Sequence, residues 1–302
     1  MIFSLQRTLG ANTPAPRRRT TGRRFDTAGG CWQRGHCRVG SNHFRVDTKP
    51  ADFERNRSAW NASSDAYQAR HGQQLARNAE AWGVWSLPES DLQLLGEVAG
   101  RDVLEYGCGG AQWSIALARR GARVTALDNS ERQLGHARSA ITTANVDVRT
   151  VHAPAERTPF EDAAFDVVFC DHGAMSFADP QITIPEVARI LRANGILAFS
   201  VEHPMHAACW DDAAGAVSTS LQHPYHTLGR IEDPTDASVN FVRPIATYVA
   251  LLHTNGFALE ALLEPRPQAD STTTFDGFAP LSWARDYPAE LMIRARKHAR
   301  TR

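Results

Sequence analysis

Short apolar segments alternate with amphipathic segments along most of this chain. Apolar runs near residues 102–106, 123–127, 146–151, 165–170 and 195–201 have the length of buried strands, and segments with helical spacing lie between them. This alternation predicts a doubly wound α/β fold, in which helices cover both faces of a largely parallel sheet. In such a fold a ligand binds at the carboxyl ends of the strands, beside the topological switch point.

Two further regions flank this pattern. Residues 51–98 are predicted to form a helical cap, because aromatic residues recur at helical spacing over 51–82 and Leu92–Val98 also has a helical pattern. Residues 202–242 form an irregular insertion rich in His, Asp and Pro. We expect this insertion to overhang the ligand pocket on its acceptor side and to determine the choice of substrate.

The most informative segment begins at Val103. Val103–Tyr106 reads as a buried strand, and glycines at 107, 109 and 110 predict a turn where a ligand approaches bare backbone. Gln112–Arg120 has helical spacing, and a second strand ends at Asp128. A strand, a glycine turn, a helix and a second strand that ends in an acid are the layout of a nucleotide-binding unit, with the acid placed to bind a ribose diol.

The residues of this segment distinguish a dinucleotide ligand from a ligand that carries an ammonium group. A dinucleotide fold requires a third small residue for close packing of helix on strand, but Gln112 and the bulky Trp113 stand at this point. Glu105 lies two residues before the first glycine, where an acid is unsuited to a diphosphate and suited to an ammonium group. A nicotinamide-dependent enzyme is therefore the weaker alternative.

Glu105-x-Gly107-x-Gly109 followed by Asp128 resembles motif I and its sequel in class I S-adenosylmethionine-dependent methyltransferases. The resemblance covers about residues 52–297 and is greatest to small-molecule methyltransferases of the ubiquinone/menaquinone type. It continues through three further segments: Glu156–Phe160 with Ala164–Cys170, Ile184–Ser200, and Arg243–Phe257. It implies a Rossmann-like sheet of seven mostly parallel strands, with Leu291–Ala295 as the antiparallel seventh strand, and S-adenosyl-L-methionine as cofactor.

The resemblance also implies roles for individual residues. Glu105 is expected near the amino group of the methionine moiety, Asp128 at the ribose hydroxyls, and the glycines where side chains would obstruct the donor. The family's usual aspartate after strand three is replaced by Pro154, so the adenine contact is expected from Ala155 or Glu156. The complete set of candidate donor-binding residues is Glu105, Gly107, Gly109, Asp128, Ala155, Glu156 and Asp171.

Two histidines are candidate general bases. His172 follows the fourth strand, where the resemblance places acceptor-side residues, and a histidine has an intrinsic pKa close to neutrality. The alternative is that Asp171 and His172 only cap the strand or shape the pocket floor. His203 is the second candidate; a metal site of Glu202, His203 and His206 lacks supporting spacing, so no metal is predicted.

Charge separates the first fifty residues from the rest. Residues 1–50 carry ten Arg or Lys against two acids and lack apolar periodicity, which predicts a disordered basic extension ahead of a methyltransferase domain over 51–302. An organellar transit peptide, or a zinc site of Cys31, His36, Cys37 and His43, are weaker alternatives. The remainder carries 23 basic and 31 acidic residues, so nucleic acid is not expected as a partner.

Cysteine usage and hydropathy favour a cytoplasmic protein. The five cysteines are odd in number and include no Cys-x-x-Cys, which favours reduced thiols. No apolar run approaches the roughly 20 residues that a membrane helix needs. The expected function is methyl transfer to a small-molecule acceptor, and the open alternative is a non-catalytic donor-binding protein of the same fold. The acceptor, the methylated atom and the oligomeric state are left open.

Overall fold

A seven-stranded sheet forms the centre of the computed structural model, which describes residues 52–299. Its strands are β1 (Asp102–Tyr106), β2 (Arg123–Asp128), β3 (Val148–His152), β4 (Phe165–Asp171), β5 (Leu191–Glu202), β6 (Phe257–Leu263) and β7 (Glu290–Lys297). Their order is β6-β7-β5-β4-β1-β2-β3. The five strands from β5 to β3 are parallel, whereas β7 is antiparallel to both neighbours. The predicted doubly wound, mostly parallel sheet is confirmed.

Helices cover both faces of this sheet. They are α1 (Asp52–Arg77), α2 (Glu89–Leu92), α3 (Gln112–Arg119), α4 (Glu131–Ala144), α5 (Ala174–Phe177), α6 (Pro180–Ile190), α7 (Pro204–Cys209), α8 (Ile245–Thr254) and α9 (Leu281–Asp286). Alternate residues of β1 enter opposite cores: Leu104 packs with residues of α6 and α8, and Val103 packs with residues of α3 and α4. Burying a side chain such as Leu104 completely stabilises the fold by about 1.5–3 kcal/mol.

The predicted helix over Leu92–Val98 is wrong. Helix α2 ends at Leu92, and Gln93 then takes a left-handed conformation with φ of 50°. The buried carboxylate of Glu89 accepts hydrogen bonds from the backbone amides of Leu94 and Leu95 and from the indole of Trp82. The Glu89 side chain thus accepts hydrogen bonds from amides that would bond to carbonyl oxygens in a helix. The predicted cap is helical mainly in α1.

The start of the strand that follows α6 differs from the prediction. Helix α6 begins at Pro180, where Asp179 accepts a hydrogen bond from the Gln181 amide as its N-cap. Strand β5 begins at Leu191 rather than near residue 195, and its first part is irregular, with a φ of 62° at Asn194. The Leu191 amide still bonds to the Val187 carbonyl, so helix leads directly into strand.

Two long connections pack together at the carboxyl edge of the sheet. The insertion after β5 contains α7 and two short hairpins, Trp210–Asp211 with Ala216–Val217 and Arg230–Glu232 with Val239–Phe241. The segment 264–289 between β6 and β7 contains α9, and its Phe275 and Trp283 share an apolar cluster with Cys209 of α7. The sequence pattern had not identified the segment 264–289 as a separate region.

Candidate active site

A pocket lies at the carboxyl ends of β1, β2 and β4, beneath helix α1. It encloses about 1020 Å³ including its open mouth. All seven residues that the sequence predicted for donor binding line it: Glu105, Gly107, Gly109, Asp128, Ala155, Glu156 and Asp171. The predicted base His172 lines it as well.

Glu105 is a buried acid between the pocket and helix α3. Its Oε2 accepts hydrogen bonds from the backbone amide and the hydroxyl of Ser114, in the first turn of α3. Burial raises the pKa of Glu105 to about 8, and the Ser114 bonds only partly oppose this rise. A positively charged ligand group would lower the cost of ionising this carboxyl group, which is the role expected of an acid that contacts an ammonium group.

Asp128 connects the end of β2 to the glycine turn. Its Oδ2 accepts from the Gly109 amide at 2.8 Å, and its Oδ1 accepts from the Ser130 amide at 2.8 Å. Burial raises the pKa of Asp128, and these two amides oppose the rise. Each carboxylate oxygen can accept more than one hydrogen bond, so the side chain can hold the turn and still accept from a ligand hydroxyl.

Glycine is favoured at positions 107 and 109 for different structural reasons. Gly107 has a φ of +91°, and a Cβ there would lie 2.3 Å from the Ala174 amide nitrogen. Gly107 is therefore required chiefly by the close passage of the loop after β4, in addition to its predicted role of clearing the donor's path. A Cβ on Gly109 would meet only side-chain amide atoms at 3.9 and 4.0 Å, so this glycine leaves space in the pocket.

Ala155 and Glu156 occupy the position where the adenine contact was expected. The hydroxyl of Tyr106 donates to the carbonyl oxygen of Ala155, which fixes this loop against β1. Burial raises the pKa of Glu156 to about 7. A carboxyl group close to its pKa can donate or accept a hydrogen bond at this edge of the pocket.

Three glutamines that sequence reasoning did not assign to binding surround the glycine turn. The Gln68 amide group donates to Gln133 Oε1 at 2.8 Å and accepts from Gln112 Nε2 at 3.1 Å. A Cβ on Gly110 would lie within 3 Å of both Gln68 and Gln112. Helix α1 thus reaches the motif through an uncharged polar side chain. No sequence motif marks this contact, because Gln68 is 44 residues from Gln112.

The aromatic wall of the pocket comes from α1 and α5. Trp60 contacts Tyr67 and Phe177 edge to face, at ring-centroid distances of 5.2 and 5.1 Å. All three side chains line the pocket. Trp60 and Tyr67 belong to the aromatic residues that predicted the helical cap, and they both pack together and line the pocket.

Asp171 and His172 leave β4 in different directions. Asp171 accepts hydrogen bonds from the Ser200 hydroxyl, from the Gly83 amide at 2.9 Å and from the Trp113 indole at 3.4 Å. These contacts tie the loop after α1 to the sheet. Burial raises the pKa of Asp171, and the nearby His172 opposes the rise.

His172 contacts an acid that sequence analysis missed. Its Nε2 lies 2.6 Å from Oε1 of Glu290, the first residue of β7. Its backbone has a φ of 48°, an uncommon value for a non-glycine residue. Burial alone would lower the pKa of His172, but the Glu290 carboxylate together with Asp171 and Glu202 outweighs burial, and the pKa is raised. The only sequence signal was the predicted last strand, which began one residue beyond Glu290.

His203 is not among the pocket residues. Its Nδ1 accepts from the Met205 amide at 2.9 Å, as the N-cap of α7, and its Nε2 lies 2.9 Å from Glu264. Burial lowers the pKa of His203, although the Glu264 carboxylate opposes this. Because both ring nitrogens have partners outside the pocket, we do not retain His203 as a candidate base.

The insertion over 202–242 differs from its expected role. Among the described residues that line the pocket, none belongs to this insertion. It instead supports α1: Arg230 pairs with Asp52 at 2.7 Å, and Asn56 accepts from the Val239 amide at 2.7 Å. Any influence of this insertion on the choice of substrate would therefore act through the position of α1.

Within residues 52–299, no three metal-binding side chains lie together as a ligand group. No helix in the described part of the chain is long and apolar enough to span a membrane. The predicted zinc alternative and the basic extension both lie outside the described residues.

Comparisons with known proteins agree with this geometry. Residues 104–199 match the family model described as a methyltransferase domain. A ubiquinone biosynthesis O-methyltransferase of Aromatoleum aromaticum is 38% identical over 104 residues, which are 34% of this chain and 44% of that protein. A demethylmenaquinone methyltransferase of Listeria monocytogenes is 34% identical over 111 residues, covering 35% of this chain and 47% of that protein. The chain thus spans less than half the length of these curated relatives.

A solved structure extends the similarity over more of the chain. A Listeria monocytogenes protein assigned as an S-adenosylmethionine-dependent methyltransferase superposes with a TM-score of 0.56 and 25% identity. The match covers 70% of this chain and 98% of that one. Residues 104–199 therefore match a methyltransferase domain, and the fold is that of S-adenosylmethionine-dependent methyltransferases. The cofactor of this domain is S-adenosylmethionine, and the nicotinamide alternative is set aside.

Proposed function

We propose that this protein transfers a methyl group from S-adenosylmethionine to a hydroxyl group, or to an acidic carbon, of a small aromatic acceptor. The observation that carries the proposal is the joint presence of Glu105, Asp128 and His172 in one pocket at the switch point of the sheet. The first two residues suit the donor, and the third can accept the acceptor's proton.

The donor supplies an electrophilic methyl group: in the transfer the bond from sulfur to methyl breaks, its electron pair stays on sulfur, and a neutral thioether remains. The protein's residues then have three tasks. Glu105 and Asp128 hold the ammonium group and the ribose, the glycine turn admits the donor, and α1 covers the pocket. Correct alignment of two reactants supplies much of the acceleration in a displacement of this kind.

His172 is the proposed general base. As the methyl group bonds to the acceptor oxygen or carbon, the acceptor's proton passes to the neutral imidazole of His172. General base catalysis of this kind contributes about 10²–10⁴-fold to a rate. The raised pKa of His172 makes it a stronger base and confines its action to pH values above that pKa.

The nature of the acceptor is inferred from the pocket wall. Trp60, Tyr67 and Phe177 present aromatic surface in the pocket that His172 also lines. Planar apolar ligands pack favourably on such edges and faces, at about 0.5–1.5 kcal/mol for each aromatic pair. The similarity to enzymes named for ubiquinone and menaquinone synthesis supports a hydroxylated quinol or phenol as the class of acceptor to test first.

The experiment measures transfer of labelled methyl from S-adenosylmethionine to a short-chain demethylmenaquinone in its reduced form, and to a matching hydroxylated ubiquinol precursor. We expect His172→Ala to lower turnover by about 10²–10⁴-fold with nearly unchanged binding of S-adenosylhomocysteine. The rate of the unaltered protein should fall as the pH drops through the pKa of His172.

A matched control is His253→Ala, because His253 is an exposed residue of α8 and is not among the pocket residues. This variant should retain full turnover. If His172→Ala instead weakened acceptor binding and the rate stayed flat between about pH 6 and 8, His172 would be part of the pocket wall only. If neither acceptor class were methylated while donor bound tightly, the aromatic acceptor would be the wrong proposal.

A further inference from the structure

We infer that Glu290 is a positioning residue that fixes the tautomer of His172, so that Nδ1 is the nitrogen that receives the acceptor's proton. This inference rests on the proposed function of His172 and extends it to a residue 118 positions away in the chain. Glu290 does not line the pocket, so it acts through His172 rather than on the substrate.

The carboxylate of Glu290 is held rigidly at the carboxyl edge of the sheet. Only 1% of the residue is exposed. It begins β7 opposite Glu202 of β5, and its Oε1 accepts from the Val84 amide at 2.9 Å. Gly83 leaves room for it, since a Cβ there would lie 2.3 Å from Glu290 Oε1. Backbone on two sides therefore determines where this carboxylate lies.

His172 is the side chain that offsets this buried acid. Its Nε2 lies 2.6 Å from Glu290 Oε1, whereas Oε2 has no hydrogen-bond partner among the described residues. A buried carboxylate is costly unless a hydrogen-bond donor or a positive charge faces it. The fold therefore favours a proton on Nε2 in both the neutral imidazole and the imidazolium. In the neutral ring the basic lone pair is then on Nδ1.

Other charged groups around His172 act in the same direction. Asp171, adjacent in β4, and Glu202 of β5 both favour the imidazolium form, while burial opposes it. Phe278 contacts the ring edge to face at a centroid distance of 6.0 Å and carries no charge. Glu290 makes the direct hydrogen bond, so its removal should have the largest effect on both the tautomer and the pKa of His172.

Glu290 is expected to make His172 a stronger base. When the acceptor's proton moves to Nδ1, the ring becomes an imidazolium that keeps its bond from Nε2 to the Glu290 carboxylate. The carboxylate stabilises the positive charge as it forms, as an acid does in any base-and-orienter pair. Replacing Glu290 by glutamine keeps an acceptor for Nε2–H but removes the charge, so His172 becomes a weaker base with a lower pKa.

The test is a nitrogen NMR titration of the full chain labelled at its histidine ring nitrogens and bound to S-adenosylhomocysteine, with His172 assigned by the His172→Gln variant. In the unaltered protein we expect Nε2 of the neutral ring to carry the proton. In Glu290→Gln we expect the titration midpoint of His172 to fall by about one pH unit or more. A neutral ring protonated on Nδ1, or an unchanged midpoint in the variant, would overturn the inference.

Two features keep this test decisive. The tautomer is measured on the unaltered protein, so it decides the matter even if Glu290→Gln fails to fold. Glu89→Gln is a matched control, because Glu89 is also a buried acid that accepts from backbone amides, but it bonds to Trp82, Leu94 and Leu95 rather than to His172. This control should leave the His172 midpoint unchanged.

Turnover measurements separate this inference from the proposed function. With the methyl acceptor that proves active, Glu290→Gln should lower kcat by about 10-fold or more and move the acidic limb of the pH profile to lower pH, with KM for the donor unchanged. If His172→Ala abolished transfer while Glu290→Gln left the limb in place, only the role of Glu290 would fail. If His172→Ala had no effect on transfer, the proposed base itself would fail.

Discussion

The backbone amide of Gly109 donates to Oδ2 of Asp128 at 2.8 Å, which joins the glycine turn after β1 to the end of β2. The same carboxylate accepts from Ser130, the N-cap residue of α4. One acid therefore shapes the pocket, and in the proposed function the same acid accepts hydrogen bonds from the ribose.

Asp128→Ala is expected to weaken S-adenosylhomocysteine binding by about 1.5–3 kcal/mol, because ribose hydroxyls lose a charged acceptor. Thermal stability should also fall, since two backbone amides lose their partner. Calorimetric titration and thermal unfolding measure the two effects. Asp166→Ala is a suitable control: Asp166 also accepts from a backbone amide, that of Asp102, at the opposite edge of the sheet. If Asp128→Ala bound the ligand like the unaltered protein, the ribose assignment would be wrong.

Glu105 should make donor binding depend on pH. Burial raises its pKa to about 8, so at pH 6 the pocket holds a neutral carboxyl group. An ammonium group favours the ionised form, so binding releases a proton below that pKa. The affinity for S-adenosylhomocysteine should therefore rise with pH up to about 8, and Glu105→Gln should remove this part of the slope. Calorimetry in buffers of different ionisation enthalpy counts the protons released.

The same pKa predicts the opposite effect on the unliganded protein. A carboxyl group whose pKa is raised on folding contributes stability that is complete below its unfolded value near 4.5 and is lost as the pH rises towards 8. Glu105→Gln should thus raise the melting temperature at pH 8 while it weakens donor binding. A variant that lost stability at pH 8 would contradict a neutral, desolvated Glu105 in the folded chain.

The two motif glycines should respond differently to alanine. Gly107→Ala places a methyl group 2.3 Å from the Ala174 amide nitrogen at a φ of +91°, so we expect severe loss of stability. Gly109→Ala meets no atom nearer than 3.9 Å, although its φ of +51° adds modest strain. That variant should fold and lose donor affinity. Equal loss of stability in both would contradict this distinction.

The basic extension remains a prediction from composition. A chain that starts near Val46 should bind S-adenosylhomocysteine with the affinity of the full chain, because Asp52 and Asn56 anchor α1 to the hairpin after β5. Titration of the two proteins in parallel measures this. A truncated chain that failed to fold or bind would show that the first residues belong to the domain.

Local sequence determined the donor side of the site well. A strand, a glycine turn and a terminal acid lie within 26 residues, and short-range geometry fixes Glu105, Gly109 and Asp128 relative to one another. The five parallel strands were likewise predictable, because strand and helix periods alternate clearly, whereas the count of seven strands came from the family resemblance.

Contacts between distant segments were not predictable in this way. The Glu290–His172 pair depends on the antiparallel register of β7. The hydrogen bond between Gln68 and Gln112 depends on where α1 crosses the glycine turn. His203 appeared suitable by its position after β5, but the N-cap of α7 and Glu264 occupy its ring nitrogens. The helix expected over Leu92–Val98 failed because buried Glu89 satisfies the local amides in place of helical bonds.

The most direct test of the account is a calorimetric titration of the purified full chain with S-adenosylhomocysteine and, separately, with NAD. We predict micromolar-scale binding of S-adenosylhomocysteine, a range typical of metabolite pockets, at one site for each chain, weakened in both Glu105→Gln and Asp128→Ala. We predict no measurable binding of NAD. Binding of NAD without binding of S-adenosylhomocysteine would contradict the assignment of this pocket to a methyl donor.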